Sequence, residues 1–566
     1  MVGARYVSPP RPHVRMISAA DELTAGQGAT SSVDTRGNVY GSDAFARSMF
    51  SYFQAFAPVP EWDEIVCWPP DVFALANLVL DHTEGYRFVV APPRGRSWPP
   101  LRDWNDRVLA AADAWRRGDD PWRCKPSPLV RKCWQSVTAG RDTPLALVRS
   151  GEAWDLVAAL LTIHAIADEA SSEVLGRGRH DPCSFEGCAW ASLQQRGSLA
   201  RLSPTRVRIV PKTHSSAHGI TIRSLSRYLA LCYESVEVRW RSVEPVPSAD
   251  LQTYDVVLLP WPLSVSAGDF RPASPLLLKN MDLAHFGFFE FAPSPPLDCA
   301  LVDPLLEEAV SVGGKVDAML FPETAIRPDV IPMLEETLDK HGVSFLIAGV
   351  RQPPMRTALG RNYVHFGLRT DSEWKRYEQD KHHRWCLDSR QIRQYHLTRS
   401  LRPTTNWWEA IDICERTLHV VDVGGAVTVA PLVCEDLARL DEVADLVRRI
   451  GPGLVVALLQ DGPQLTSRWP ARYASVIADD PGSAVLTLTS LGMATRSTPP
   501  GKRCSRVVAH WNSRNDGVHE IALAPGAAGV LLSTAIDDVT LWTADGRRHG
   551  RVPQLTLSSV RSLRAA

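Results

Sequence analysis

Short apolar runs that alternate with helix-period segments constrain this chain most. Tyr254 to Leu259 reads as a buried strand. From there to about residue 490, strands and helices take turns. Asp303 to about Val312 has helical spacing, and a buried strand follows from Val316 and ends near Glu323. Asp329 to Val350 reads as a helix then a strand, Asn362 to Thr370 as a strand, and Gly451 to Leu459 as a further apolar run. Strands of this type, separated by helices, argue for an α/β layered fold. The end of the chain is strand-rich, at Arg506 to His510, His519 to Ala524 and Gly529 to Leu532. No internal repeat at a solenoid or propeller period is visible.

The first third differs. Residues 1–38 are rich in Ser, Gly, Pro and Ala and are expected to be disordered or extended. Residues 39–202 read as a mainly helical domain of unassigned role, with clear helical stretches at Val108 to Arg117 and Glu152 to Leu175. Trp is frequent, 18 in all, and these rings are expected to act as packing anchors. After a change of composition near 195–205, Arg206 to Val210 reads as a short strand and Thr221 to Cys232 as a helix. The α/β portion is therefore expected over residues 203–560.

Charge excludes some functions. Lys and Arg total 62 against 63 Asp and Glu, so no global field draws the chain onto nucleic acid or membrane. No apolar run is long enough to span a bilayer. Met1 to Asp21 lacks the apolar core of a signal peptide. The 11 cysteines are scattered and odd in number, which suits free thiols in a reducing cytoplasm.

Cys434 is the strongest chemical signal. It follows the apolar run Val427 to Val433 and precedes Glu435 and Asp436. Leu437, Leu440, Val443, Leu446, Val447 and Ile450 then fall on one helical face. A cysteine on such a strand–turn–helix junction is expected near the positive end of a helix dipole, which favours thiolate. Unpartnered amides of the first turn can receive an oxyanion. Glu323 sits at the C-terminal end of its strand, where open α/β folds place ligands. Lys381 follows the segment Trp374 to Asp380, with Lys375 as a nearby competitor.

Glu, Lys and Cys in this order, each just after a strand, resemble the nitrilase (carbon–nitrogen hydrolase) superfamily. The matching motifs are FPE at 321–323, the lysine of YEQDKHH at 377–383 and VCED at 433–436. The resemblance implies an αββα sandwich with two mixed sheets over about residues 203–560. It implies Cys434 as nucleophile, Glu323 as the base that later protonates the leaving amine, and Lys381 as the charge that stabilises the intermediate. The backbone N–H of Glu435 is the implied oxyanion donor. The substrate implied is a small amide, nitrile or carbamoyl compound, with no metal or cofactor, and a homo-oligomer is a frequent state. Without a membrane span, the lipoprotein-acylating branch is disfavoured. The second glutamate that usually follows the lysine closely is displaced here, and Glu409 in Asn406-Trp407-Trp408-Glu409 is the candidate for it.

The intervening stretch, Lys381 to about Arg402, carries Arg384, Arg390, Arg393, Arg399 and Arg402 with Trp385 and Tyr395. Basic residues among aromatics can grip phosphates and stack bases, line a mouth for an acidic substrate, or form a solvated loop. The first option motivates a rival reading. In it the chain is a regulatory or interaction protein on a nitrilase-like scaffold, of the type seen in bacterial anti-phage systems, with a protein or nucleic-acid partner. Arg468 to Arg472 and Thr487 to Ser490 are expected to wall the pocket. His180 with Cys183 and Cys188, and His164 with Asp168, do not complete a zinc pattern and read as structural. No phosphate loop of the GxxxxGK type is present.

Overall fold

The computed structural model describes residues 45–564 apart from 57–60, 119, 176–180, 203–206, 216–218, 234–235, 244–251, 278–281, 371–372, 414–415, 424–426, 440–441 and 500. The segment 1–38 lies outside the described residues.

Helices precede strands. From Met49–Phe56 to Phe185–Arg196 the described regular elements are helical. Trp154–Ala170 is their hub. It is apolar nearly all round and buried along almost its whole length, as a helix of that composition must be. Pro69–His82, Trp104–Arg116 and Pro128–Ala139 pack around it. Among the described residues no helix is long and apolar enough to cross a membrane.

The first departure from the sequence reading comes next. Thr221 to Cys232 is not a helix. It is a 3₁₀ turn at Ile222–Leu225, followed by the strand Leu229–Cys232, which pairs antiparallel with Arg208–Pro211. The cause is tertiary. Buried Asp168 accepts hydrogen bonds from the amides of Arg227 at 2.7 Å, Tyr228 at 2.9 Å and Leu229 at 3.0 Å. Three successive amides spent on one carboxylate cannot serve a helical ladder.

Two seven-stranded mixed sheets follow. In the first, Thr253–Leu258, Ala318–Ile326 and Phe345–Gln352 form a parallel centre. Arg361–Arg369 and Trp374–Asp380 extend one side, and the hairpin Gly529–Trp542 with Arg548–Leu563 the other. In the second, Val427–Val433, Leu454–Leu459 and Ala484–Thr489 are the parallel centre. Val507–Ser513 and Gly517–Ala522 flank one side, and Thr417–Val423 and Glu237–Val243 the other.

Side chains alternate faces along a strand. Leu258, Leu320, Ile347 and Phe366 of the first sheet share one apolar cluster with Leu418, Val429, Val455 and Leu486 of the second. Their neighbours Val257, Met319, Phe321 and Leu346 belong to another cluster with Leu305, Leu306, Leu334 and Leu338, from helices Val302–Gly313 and Ile331–Lys340. Trp469–Asp479 packs on Ala484–Thr489 and Val507–Ser513 of the second sheet. The layers are therefore helix, sheet, sheet, helix, the αββα order expected. The same inner cluster continues into the N-terminal helices, through Phe73, Leu160 and Ile163.

The basic stretch after Lys381 is not a solvated loop. Cys386–Leu387 and Asn406–Glu409 join Phe286–Phe291 and Phe270–Pro272 in a four-stranded sheet. A short helix, Ser389–Gln394, starts on a capping box at Asp388. Trp385, Leu387, Ile392, Tyr395 and Leu401 bury against Phe270 and Phe289. The guanidinium-bearing residues Arg390, Arg393, Arg399 and Arg402 remain exposed, while the two aromatics face inward.

Candidate active site

Glu323 owes its position to a break in strand register. Phe321 pairs with Ala348, but Ile326 pairs with Val350, so residues 322–325 bulge from the ladder. Thr324 adopts φ 54°, rare for a β-branched residue. Its hydroxyl donates to the Glu323 carbonyl at 2.7 Å, and its own carbonyl accepts from Arg351 Nη1 at 2.8 Å. Gly349 makes room for the bulge. A Cβ there would lie 2.2 Å from the Pro322 oxygen and 2.5 Å from Glu323 Cα.

Lys381 lies at the end of Trp374–Asp380, with its amide donating to the Asn362 carbonyl at 2.9 Å. Its Nζ donates to Glu323 Oε1 at 2.7 Å and to Glu409 Oε2 at 2.7 Å. The competing Lys375 is exposed on the edge strand. Asn362 Nδ2 bridges the same two carboxylates, at 2.7 Å from Glu323 Oε1 and 2.7 Å from Glu409 Oε1. Glu409 Oε2 also accepts from the Trp385 amide at 3.2 Å. Glu323 Oε2 is buried and has no hydrogen-bond partner.

Cys434 directly follows Val427–Val433 and is 4% exposed. Its φ is 47°, an outlier for a non-glycine residue of the type that collects at functional sites. Here the sequence reading needs correction. The turn after Cys434 is a 3₁₀ segment of four residues, Cys434–Leu437, and the α-helix begins only at Glu442. The sulfur therefore does not sit at the positive end of that helix, and the dipole argument for a thiolate falls. The Glu435 amide does lie in the first turn of the 3₁₀ segment, where N–H groups have no intrahelical carbonyl.

Two residues hold this turn against the lysine. Asp436 Oδ2 accepts from the His382 amide at 3.1 Å, and Oδ1 lies 2.8 Å from His383 Nδ1. Gln379 donates to the Pro431 carbonyl at 3.0 Å and accepts from the His419 amide at 2.8 Å, stitching the two sheets together.

The charges act on one another. Burial raises the Cys434 thiol well above its ordinary range, and the Glu323 carboxylate adds to this. The Lys381 ammonium and a backbone N–H of Gln460 pull the other way without reversing it. Burial also raises Glu323, against the opposing pull of Lys381. Burial alone would lower Lys381, but Glu323 and Glu409 hold it well above the usual lysine range. The resting state this favours is a neutral thiol beside a charged lysine.

Cys434 opens onto a cavity of about 350 Å³. Trp385, Tyr395, Trp469 and Tyr473 give it aromatic walls, and Glu435, Gln460 and Asp461 give it polar ones. The Tyr395 hydroxyl donates to Asp461 Oδ1, which also accepts from Arg468 Nη2 at 2.6 Å. Of the residues expected as walls, Trp469 lines the cavity. Thr489 works behind it, donating to the Asp461 carbonyl at 2.6 Å.

Sequence reasoning missed Asn362, Asp436 and Gly349. Asn362 was visible only as the polar first residue of an apolar strand. Metal chemistry finds no support in the candidates. His164 Nε2 lies 3.1 Å from Asn77 Nδ2, Asp168 is taken up by amides and Arg547, and His180 lies outside the described residues. Among the described residues no cluster of His, Cys, Asp or Glu could hold a metal ion.

No family model matches the sequence, and no curated protein matches it. Among solved structures, Saccharomyces cerevisiae Nit3, a member of branch 10 of the nitrilase superfamily, is similar at 12% identity and a TM-score of 0.28, over 55% of this chain and 90% of that one. An amidase from Nesterenkonia sp. AN1 is similar at 14% identity and a TM-score of 0.28, over 56% and 92%. A carbon–nitrogen hydrolase from Helicobacter pylori G27 is similar at 11% identity and a TM-score of 0.27, over 54% and 87%. With its αββα layers, this divergent chain is similar over about half its length to solved members of the nitrilase superfamily.

Proposed function

We propose that this chain is a hydrolase of non-peptide C–N bonds that works through a thioester on Cys434. One observation carries the reading. Glu323 Oε1 is held by Lys381 and Asn362, while Oε2 is buried and unpartnered next to a thiol kept neutral. A free carboxylate oxygen in that place is an acceptor for the thiol proton.

The steps follow from these groups. Glu323 takes the proton as sulfur attacks the carbonyl carbon, or the nitrile carbon. The C–S bond forms, and the carbonyl π pair moves to oxygen. Lys381 and the Glu435 N–H stabilise that oxyanion, for which one well-placed donor contributes about 10²–10³ in rate. The C–N bond then breaks, and Glu323 returns its proton to the leaving amine. Water, deprotonated by Glu323, hydrolyses the thioester and releases the acid. General base work of this type contributes about 10²–10⁴. Glu409 and Asn362 act on Lys381 and Glu323 as positioning groups.

The cavity suits a small amide, nitrile or carbamoyl compound with a polar substituent. Gln460 Nε2 and Asp461 Oδ2 are buried there without partners, so one donor and one acceptor await such a group. The rival reading, a scaffold with a nucleic-acid or protein partner, rests on the exposed arginines alone. The aromatics that would stack bases, Trp385 and Tyr395, line the cavity instead.

The Nesterenkonia amidase carries the acetamide moiety of fluoroacetamide on its active-site cysteine. The same reagent tests the proposal here. Peptide mapping should place one carboxamidomethyl group on Cys434, with fluoride as the leaving group, and Glu323→Gln should slow the labelling at least 10-fold. Equal labelling of several cysteines, or a rate indifferent to Glu323→Gln, would overturn it.

A further inference from the structure

A second cavity, of about 510 Å³, lies away from Cys434. Its volume is within the ~300–1,000 Å³ typical of small-molecule sites. Three parts of the fold meet there. Ser171 and Ser172 come from the end of the hub helix, and Lys212 and Arg227 from the segments around the first strand pair. Asp422 and Thr428 come from the second sheet, and Asp538 and Pro553 from the last hairpin of the first.

Two buried cations share one wall. Arg227 is 8% exposed. Its Nη1 donates to the Thr213 carbonyl at 2.6 Å, and its guanidinium stands 5.4 Å from the Tyr228 ring centre. Its Nε is buried with no partner. Lys212 is 2% exposed, and its Nζ reaches the carbonyls of Arg223 and Ser226, the latter at 3.0 Å, and Ser226 Oγ at 3.3 Å. Among the described residues, neither cation has a carboxylate oxygen within 4.0 Å. Arg547, equally buried, is treated differently. It meets Asp168 at 3.2 Å, Glu169 at 2.7 Å and Asp545 at 3.0 Å. Buried charge without a counter-charge is costly, so it points to a ligand that supplies one.

We propose that this cavity binds a small phosphate-bearing metabolite, its phosphate on Arg227 and Lys212 and its hydroxyl or amino groups toward Asp422 and Asp538. The opposed walls define the class. A phosphate alone would face two acids across the cavity, whereas a phosphomonoester with donor groups uses both sides. His214 adds no charge, since burial brings it down to about 4. Burial likewise brings Lys212 down to about 7, and an anion there restores its charge. The site is separate from the catalytic cavity. Thr428 begins the strand whose end carries Cys434, roughly 20 Å away at the rise of an extended chain. A ligand there would join the N-terminal helices to both sheets.

The test uses the full chain in calorimetric titrations with inorganic pyrophosphate and with adenosine 5′-monophosphate. Both are expected to bind at submillimolar concentration, the nucleotide more tightly. Arg227→Gln should weaken both about 10- to 100-fold, Arg227→Lys by less than about 10-fold, and Cys434→Ala not at all. Failure of the unsubstituted chain to bind either probe overturns the proposal. So does equal binding by Arg227→Gln, or loss of binding in Cys434→Ala. A reading that needs no variant is labelling with pyridoxal 5′-phosphate and borohydride. The label should map to Lys212 and be suppressed by pyrophosphate; a label elsewhere, or one that pyrophosphate leaves unchanged, counts against the site.

Discussion

Lys381→Met would remove the one cation from an enclosed pair of carboxylates. The Lys381 and Glu323 side chains are 0% exposed and that of Glu409 is 7% exposed. Both acceptor oxygens lie 2.7 Å from Nζ, so they are at most about 5.4 Å apart. At an effective dielectric of about 20, two charges at that distance repel by on the order of 3 kcal/mol. Breaking a buried pair by removing one partner costs about 3–5 kcal/mol in general, and we expect a loss in that range at pH 8. The loss should shrink in acid. In the variant the native state holds about one proton more than the unfolded chain above the ordinary glutamate pKa. Its stability therefore falls as pH rises, by about 1.4 kcal/mol per unit until the pair's own pKa is passed. Urea denaturation of both proteins at pH 5, 6.5 and 8 reads this directly. Adding Glu409→Gln to Lys381→Met should recover part of the loss, since one of the two carboxylates is then gone. A loss below about 1 kcal/mol that is flat from pH 5 to 8 would refute the reasoning.

Two further outcomes are expected. Gly349→Ala forces a Cβ against the Pro322 carbonyl, so it should cost about 1–3 kcal/mol in urea denaturation and slow Cys434 alkylation through the displaced Glu323. Lys212 titrates at about 7 in the folded chain against about 10.4 unfolded, through burial and the charges of Asp168, Arg223, Arg227 and Asp480. The unfolded state binds more protons between those values, so its contribution to stability rises with pH. Lys212→Met abolishes that term, and its advantage over the unsubstituted chain should shrink by about 2 kcal/mol between pH 7 and 9.

Much of the layered core was legible because continuous apolar runs bounded by polar residues mark buried strands. Val427–Val433, Leu454–Leu459 and the strand that carries Glu323 are of this type. The ends of those runs carry Cys434 and Glu323, so two of the three proposed reacting groups could be named from pattern alone. What was not legible depended on distant partners. Thr221 to Cys232 has helical spacing, but Asp168 and the pairing with Arg208–Pro211 decide its fate. The helix after Cys434 starts late because residues 434–437 form a tight turn first. Asn362 joins Glu323 to Glu409 across 86 residues of sequence, a relation that periodicity cannot carry. The basic stretch looked solvated by charge count, yet its apolar residues Leu387, Ile392 and Leu401 form their own small core.

The most direct measurement is an acid quench of the purified chain after mixing with short amides, carbamoyl compounds and nitriles, followed by mass spectrometry of the Cys434 peptide. The account expects an acyl adduct on Cys434 that neutral hydroxylamine removes, reduced at least 10-fold in Glu323→Gln. An adduct confined to other cysteines, or one that forms equally well without the Glu323 carboxylate, would contradict it.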